Sequence, residues 1–511
     1  MISYDQSNTL EKLVDSTTLL EVKLAKELDK TSQRWLTTND AGNILQVNKA
    51  ATLRVIEKLN RDIYDLGEDG IELTVSKGKG IQFNIRNDKD IQVLIAYIVS
   101  KEPAVQLLEA IFKEEIYSVT QYAQQNYVSE ATVRRNINKI RSYFDDFDVT
   151  ISRVTAKLEG DEKQIRLLMM IFYWRVYGGV TWPFDSIAEQ ELSEMSKRLL
   201  YSVIRSDIEI PHLFIRQISY YFAEAVLRTR KKNFVNDKEK KICEVAQGYR
   251  YERFKEILEK ECIGKINILD EEIAFHYTVG LSMSAPYHML ISSTIDDIIE
   301  DHRKRNTLIF QAVELSMEKI NSYFFTKSEI NLDTSLTRYS LFSCHCFAYV
   351  FKNFKSDMNG LVYNNYFQNN YPTLSMKVHD FLKELYELSS NEIFLEQRYL
   401  LLPYIKIITQ DIEPVYFEKK IYVILESDMP ILITTHVIKK IEFYFKKKYH
   451  IKFLEFPKKK IAESVDVVIT TATTKNLNNQ YPNAKIIKIN REPTPKDFRE
   501  LTAIFETLKK K

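Results

Sequence analysis

The 511 residues carry 45% hydrophobic and 28% charged side chains with only 12 Gly and 12 Pro. This excludes both a single core and a largely disordered chain, and roughly three to five folded domains are expected. Seventy-two Lys and Arg against 70 Asp and Glu leave a net charge of +2, so affinity for nucleic acid cannot come from the chain as a whole and must come from a local cluster of cations.

The opening MISYDQSNTLEKLVD lacks the basic start, apolar run and small-residue cleavage site of a secretory signal. Residues 1–150 hold 19 Lys and Arg against 23 Asp and Glu, so cations there matter by placement. Leu36–Arg61 reads as helix, turn and helix, with Arg54 and Lys58 one turn apart on the side away from Ile56. Ile71–Ile85 follows as two alternating strands whose glycine-containing turn bears Lys77 and Lys79, the pattern of a wing.

Ser118–Tyr143 repeats the helix, turn and helix. Val119, Tyr122 and Ala123 share a face of the first helix, Asn126 is placed to make the turn, and Ser129 to cap the second helix. Val133, Ile137 and Ile140 face inward; Arg134, Arg135, Asn138, Lys139 and Arg141 project outward, with Thr132 beside Ser129 at the helix start. The two segments align at an offset of 81: Gly42 with Ala123, Val47 with Val128, Asn48 with Ser129, Ala50 with Ala131, Ile56 with Ile137, Leu59 with Ile140, and Arg54 and Lys58 with Arg135 and Lys139. Val149–Ser152 and Ala156–Leu158 form a shorter hairpin in which Arg153 is placed to meet a phosphate. The recurring basic face and its wings point to two major-groove contacts, primarily through the second copy, with Arg54, Lys58, Lys77 and Lys79 in support.

From about 161 to 412 the periodicity is helical, with breaks near 178–183, 233–237, 284–286, 328–333 and 359–372, consistent with two all-α bundles divided near 290. The most apolar stretch, Leu167–Val176, is interrupted by Arg175 and too short to span a membrane. The basic run Arg228–Lys232 reads as a solvated helix end rather than a phosphate site. Cys344, His345 and Cys346 are too closely spaced to point one way on a helix, so no metal is expected. Neither these cysteines nor Cys243 and Cys262 have disulfide spacing, which fits a reducing cytoplasm.

Beyond Lys419, the segments Ile421–Ser427, Val465–Ala472 and Ala484–Asn490 are nearly continuous apolar runs alternating with helical ones, such as Ile431–Lys448. This pattern predicts a small α/β sandwich on a parallel sheet. LESDMP follows the first strand in place of a glycine-rich phosphate loop, so no nucleotide is expected, and the lysine runs at 446–448, 458–460 and 509–511 read as solvated surface.

In this order of parts the chain resembles the Mga/AtxA family of bacterial virulence regulators, most specifically in Ser118–Tyr143 and in LDEEIAFHYTVGL at 269–281. The resemblance implies a mainly α, multidomain protein: winged helix-turn-helix modules at 1–88 and 89–160, phosphotransferase-system regulation domains at 161–290 and 291–413, and an enzyme-IIB-like α/β domain at 414–511. It implies a cytoplasmic, nucleoid-associated activator that is not an enzyme, needs no cofactor, binds double-stranded DNA, forms a homodimer and meets phosphocarrier proteins of the sugar transport system transiently. The phosphoryl acceptors it implies are His212, His276 and His345, with His379 a weaker match. A phosphoryl group adds about −1.5 to −2 of charge, enough to remodel a helical interface. The sequence departs from transport enzymes in having no cysteine after Cys346, which counts against the alternative of a phosphotransferase-system component or relay and leaves the terminal domain an interaction role. An RNA-binding antiterminator, the other alternative, would open with a small β domain.

Overall fold

The computed structural model describes residues 10–509 apart from 32–33, 117, 146, 153–155, 204–208, 239, 263–267, 284–291, 326–329, 355, 357–363, 455–464 and 473–476. Arg153, the expected division near 290 and the lysines at 458–460 lie outside the described residues.

The N-terminal part is built from α1 (Ser16–Lys30), α2 (Thr38–Leu45), α3 (Lys49–Leu66), β1 (Ile71–Ser76) and β2 (Gly80–Ile85), followed by α4 (Ile91–Ser100). Thr37 starts α2 through a reciprocal capping box with Asp40, and Asn48 starts α3 by accepting from the Ala51 amide, satisfying amide groups that a helix start otherwise leaves open. Leu24 and Leu28 of α1, Leu45 of α2, Val55, Ile56 and Leu59 of α3, Phe83 of β2 and Leu94 and Ile98 of α4 close one core. The strands pair antiparallel from Ile71 opposite Ile85 to Ser76 opposite Gly80.

Leu36 adds a bridge to Ile81, with N–H···O distances of 2.8 Å in both directions. This close approach requires a glycine at position 80, where φ is +105° and an added Cβ would lie 2.0 Å from the Leu36 carbonyl oxygen. Gly80→Ala is expected to destabilise this module by about 1–3 kcal/mol or more. The check is a lowered thermal transition together with faster amide exchange at Leu36 and Ile81.

A second module follows: α5 (Pro103–Phe112), α6 (Val119–Gln125), α7 (Glu130–Phe144) and a two-residue hairpin, β3 (Thr150–Ile151) with β4 (Leu158–Glu159). The described helices after it are α8 (Glu162–Tyr177), α9 (Glu189–Val203), α10 (His212–Arg230), α11 (Lys241–Val245), α12 (Tyr249–Cys262), α13 (Asp270–Ser282), α14 (Ser292–Arg305), α15 (Leu308–Phe324), α16 (Ser335–Val350), α17 (Asn364–Asn370), α18 (Pro372–Ser389) and α19 (Gln397–Ile408). Helix α8 is buried on nearly every side, as its all-round apolar sequence dictates. Among the described residues no single helix is long and apolar enough to cross a membrane. The pair α4 and α5 approaches that length only across an 81° bend, and both helices are packed in the interior.

The chain packs as two compact units. One contains 1–316, 334–363 and 391–400; the other contains 317–333, 364–390 and 401–511. The segment 291–413, expected as one bundle, is divided between them. In the second unit β5 (Ile421–Glu426), α20 (Ile431–Phe445), β6 (Ile451–Phe453), β7 (Val467–Thr470), α21 (Leu477–Gln480), β8 (Lys485–Lys488) and α22 (Pro495–Lys509) build a four-stranded sheet in the order β6-β5-β7-β8. All three pairings are parallel, as the continuous apolar strands predict. Alternate strand residues feed two clusters. Val423, Leu425, Val467 and Ile469 meet α20 and α22; Ile424 and Val468 meet Leu477 and Tyr481.

Candidate nucleic-acid interface

The 81-residue offset holds atom by atom. Thr37 and Ser118 cap α2 and α6, accepting from the amides of Asp40 and Gln121, and Asn48 and Ser129 cap α3 and α7, accepting from Ala51 and Thr132. In the turns, Val47 N–H donates to the Gly42 carbonyl at 3.2 Å and Val128 N–H to the Ala123 carbonyl at 3.0 Å. The buried faces of α3 and α7 are the same six positions: Thr52, Val55, Ile56, Leu59, Asp62 and Ile63 against Val133, Asn136, Ile137, Ile140, Tyr143 and Phe144. One correction applies to the turn. Asn126 does not take the left-handed conformation; its φ is −102°, and the left-handed residues are Gln46 and Tyr127, again 81 apart, with φ of 59° and 54°. Tyr127 is 97% exposed. The sequence reading missed it, and the repeat itself held the signal, since the aligned Gln46 is polar.

The outer face of α7 carries the cations. Arg134, Arg135 and Asn138 are exposed, and Lys139, Arg141 and Thr132 are half-buried. Arg134 reaches Glu130 at 3.4 Å, an exposed pair worth little. Arg141 donates to Asn138 Oδ1 and to the Ile151 carbonyl, both at 3.3 Å, and so leans onto the short hairpin. Arg135 and Lys139 make no ion pair among the described residues. Ser129 and Thr132 hydroxyls lie 2.9 Å apart at the start of α7.

The first copy differs. Arg54 is exposed, as are Lys77 and Lys79 on the wing turn, with Lys79 lying 5.8 Å from the centre of the Trp35 ring. Lys58, however, is committed inward: its ammonium donates to Glu21 at 2.6 Å and to Thr18 Oγ1 at 2.7 Å, tying α3 to α1. Burial of Glu21 raises its carboxyl to about 7 against the lowering influence of Lys58. Lys58 is therefore removed from the phosphate-facing set. Its position in the repeat matches Lys139, but α1 supplies a buried acid that sequence alignment of the two copies does not reveal.

Behind the second module lies a buried polar network on α8, α10 and α13. Arg166 forms a two-pronged ion pair with Glu272 at 2.6 and 2.9 Å, both side chains fully buried. Glu272 Oε2 is 3.7 Å from His276 Nε2, and His276 Nδ1 is 2.6 Å from the Tyr221 hydroxyl. Burial, and then the Arg166 charge, press the His276 imidazole well below its usual range. Burial likewise lifts the Glu224 carboxyl well above its usual range. Sequence reasoning found His276 and missed Arg166, whose only signal is an arginine inside the apolar run 165–173.

The three phosphoryl-acceptor candidates differ in access. His212 is exposed as the first residue of α10; His276 is 5% exposed and His345 is fully buried on α16. The weaker match, His379, is exposed on α18, 3.7 Å from Asp380. A carrier protein must reach a ring nitrogen, so in this arrangement only His212 of the three meets that condition. The interior histidines have another consequence. Burial holds His302 and His345 at about 3, below the unfolded value near 6.5, so the unfolded chain binds more protons between those limits. The stability they contribute is present above pH 6.5 and is lost progressively as pH falls toward 3. Urea midpoints are expected to drop between pH 7.5 and pH 5, and His302→Phe is expected to reduce that drop; an unchanged drop would contradict the assignment.

Comparison with known proteins meets the geometry at α7. A family model described as the Mga helix-turn-helix domain matches residues 87–173. This part of the chain is similar to an Mga helix-turn-helix domain. The match runs from just before α4 through α6, α7 and the short hairpin into α8, so the likeness includes the residues that flank α6, α7 and the hairpin. Two curated relatives extend the likeness. The capsule synthesis positive regulator AcpB of Bacillus anthracis is 20% identical over 292 residues, 56% of this chain and 58% of that one. The capsule synthesis positive regulator AcpA of the same organism is 24% identical over 160 residues, 31% of this chain and 32% of that one. The aligned stretches thus span between about a third and somewhat over half of these relatives.

Proposed function

We propose that the chain is a DNA-binding transcription regulator, acting as an activator, that reads promoter DNA with α7 and uses the first module as a second contact. The observation that carries this reading is the outer face of α7, where Arg135 and Lys139 stand uncommitted on a helix whose caps, turn and buried face are reproduced 81 residues earlier. A recognition helix needs such cations, because phosphate contacts supply position and base edges supply sequence. The names of the two relatives, both positive regulators of capsule synthesis, support a regulatory role. Titrating the intact chain into labelled duplex DNA and an RNA hairpin of equal length tests it: preference for the duplex with a steep salt dependence is expected, and preference for the hairpin would overturn it.

Two finer elements belong to this proposal. His212 is the phosphoryl acceptor of the first helical region, since its ring is reachable. Self-association runs through the C-terminal sheet domain, where α20 buries only Val437, Ile441 and Phe445 and leaves Leu432 and Phe443, three turns apart on one face, 82% and 73% exposed. Leu432→Asp with Phe443→Asp is expected to weaken the dimer at least about tenfold in sedimentation; an unchanged dimer would remove α20 from the interface.

A further inference from the structure

Both ends of the helix-turn-helix and hairpin of the second module are held by one guanidinium. These elements span 118–159; Glu114 lies just ahead of them, two residues past α5, and Glu162 just behind them, as the first residue of α8. Arg228, near the C-terminus of α10, donates through Nη1 to Glu114 Oε1 at 3.1 Å, through Nε to Glu162 Oε1 at 2.8 Å and through Nη2 to Glu162 Oε2 at 2.6 Å. Asn233 Nδ2 adds a second donor to Glu114 Oε1 at 2.5 Å. Contrary to the expected solvated helix end, the guanidinium is almost wholly buried and both carboxylates are largely covered, so these charge-assisted bonds are shielded from the screening that weakens surface pairs. Glu114 itself sits at φ +52°, a left-handed conformation that a residue other than glycine keeps only when its surroundings hold it there. Glu162 also accepts from Arg166 Nε at 3.1 Å, and Arg166 is paired to Glu272, so the clasp continues into the core of the helical region.

We propose that Arg228 is a positioning residue for DNA binding: by clasping the entry to α6 and the exit from the hairpin it fixes α7 relative to α5 and to α4, whose Leu94 and Ile98 pack in the core of the first module, so that both modules can engage one duplex together. This inference rests on the DNA-binding reading above. Two linked contacts reinforce each other only when geometry lets both form at once, and a loosened clasp sacrifices that gain while leaving each module's own contacts in place. Lysine cannot replace the clasp, since an ammonium lacks the planar fork that spans two carboxylates.

The test compares the intact chain with Arg228→Gln, Arg228→Lys and Glu114→Ala on mixed-sequence duplexes of about 12 and about 40 base pairs, short enough for one module and long enough for two. The unaltered chain is expected to bind the longer duplex more tightly. Arg228→Gln is expected to lose about tenfold or more on the longer duplex with little change on the shorter, and the other two variants are expected to lose in the same direction. Glu114→Ala leaves the Arg228–Glu162 pair in place and decides the matter if Arg228→Gln does not fold. A wild-type ratio of the two affinities in the folded variants, or an equal loss on both duplexes, overturns the role of Arg228 alone. If the unaltered chain binds neither duplex, the DNA-binding reading fails and this inference falls with it.

Discussion

Replacing Arg135 and Lys139 together by alanine is expected to weaken duplex binding by roughly 10- to 100-fold near physiological salt and to lower the slope of log affinity against log salt by about 1.8, the equivalent of two phosphate contacts. Both side chains are on the outer face of α7 and neither makes an ion pair among the described residues, so the fold loses little when they are cut back. Lys58→Ala is the internal control. It occupies the same place in the repeat as Lys139, but its ammonium is 2.6 Å from Glu21 on α1. The expected result is an unchanged salt slope with a loss of stability, because Glu21 is left buried without its donor; its raised pKa, about 7, lets it protonate and softens that loss. Equal effects of the two changes on the salt slope would contradict the division of roles between the copies.

The second large effect concerns the core of the helical region. Glu272→Leu leaves the fully buried Arg166 guanidinium without the carboxylate that receives both its prongs and removes the acceptor of the Val235 amide. Breaking one side of such a pair costs about 3–5 kcal/mol, whereas replacing both partners with apolar residues of similar size is close to neutral. Glu272→Leu alone is therefore expected to lower the unfolding midpoint sharply and to accelerate amide exchange in α8 and α13, and Arg166→Met with Glu272→Leu to recover most of the loss. Because Arg166 also donates to Glu162 and to the Asn233 carbonyl, recovery is expected to be incomplete. A double variant as unstable as the single one would show that those remaining contacts, not the Glu272 pair, carry the stability.

These effects separate what the residues announce from what only packing reveals. The repeat was legible because local chemistry specifies it: an amide and a hydroxyl placed to cap at 48 and 129, small residues at 42 and 123, and apolar spacing in α3 and α7. The parallel sheet was legible for a similar reason, since strands buried on both faces show no alternation. Partners distant in sequence were not legible. Nothing near Lys58 discloses Glu21, 37 residues away, and nothing near Arg166 discloses Glu272, 106 residues away. The burial of His276 and His345 follows from the same cause. Helical periodicity in α13 and α16 is weak because those helices are covered almost all round, so spacing alone could not tell a reachable histidine from an enclosed one. The residue that makes the left-handed turn was misplaced by one position because Asn is the better intrinsic former of that conformation, while the hydrogen bond from Val128 to Ala123 puts Tyr127 there instead.

In the proposed function, α7 delivers the chain to promoter DNA. Genome-wide mapping of binding sites for the unaltered chain and for the Arg135→Ala, Lys139→Ala variant, paired with transcript profiles of a deletion strain, tests it most directly. Sites are expected at promoters whose transcripts fall on deletion, with loss of those sites in the variant at unchanged protein level. Sites that persist undiminished in the variant, or that bear no relation to the affected transcripts, would contradict it.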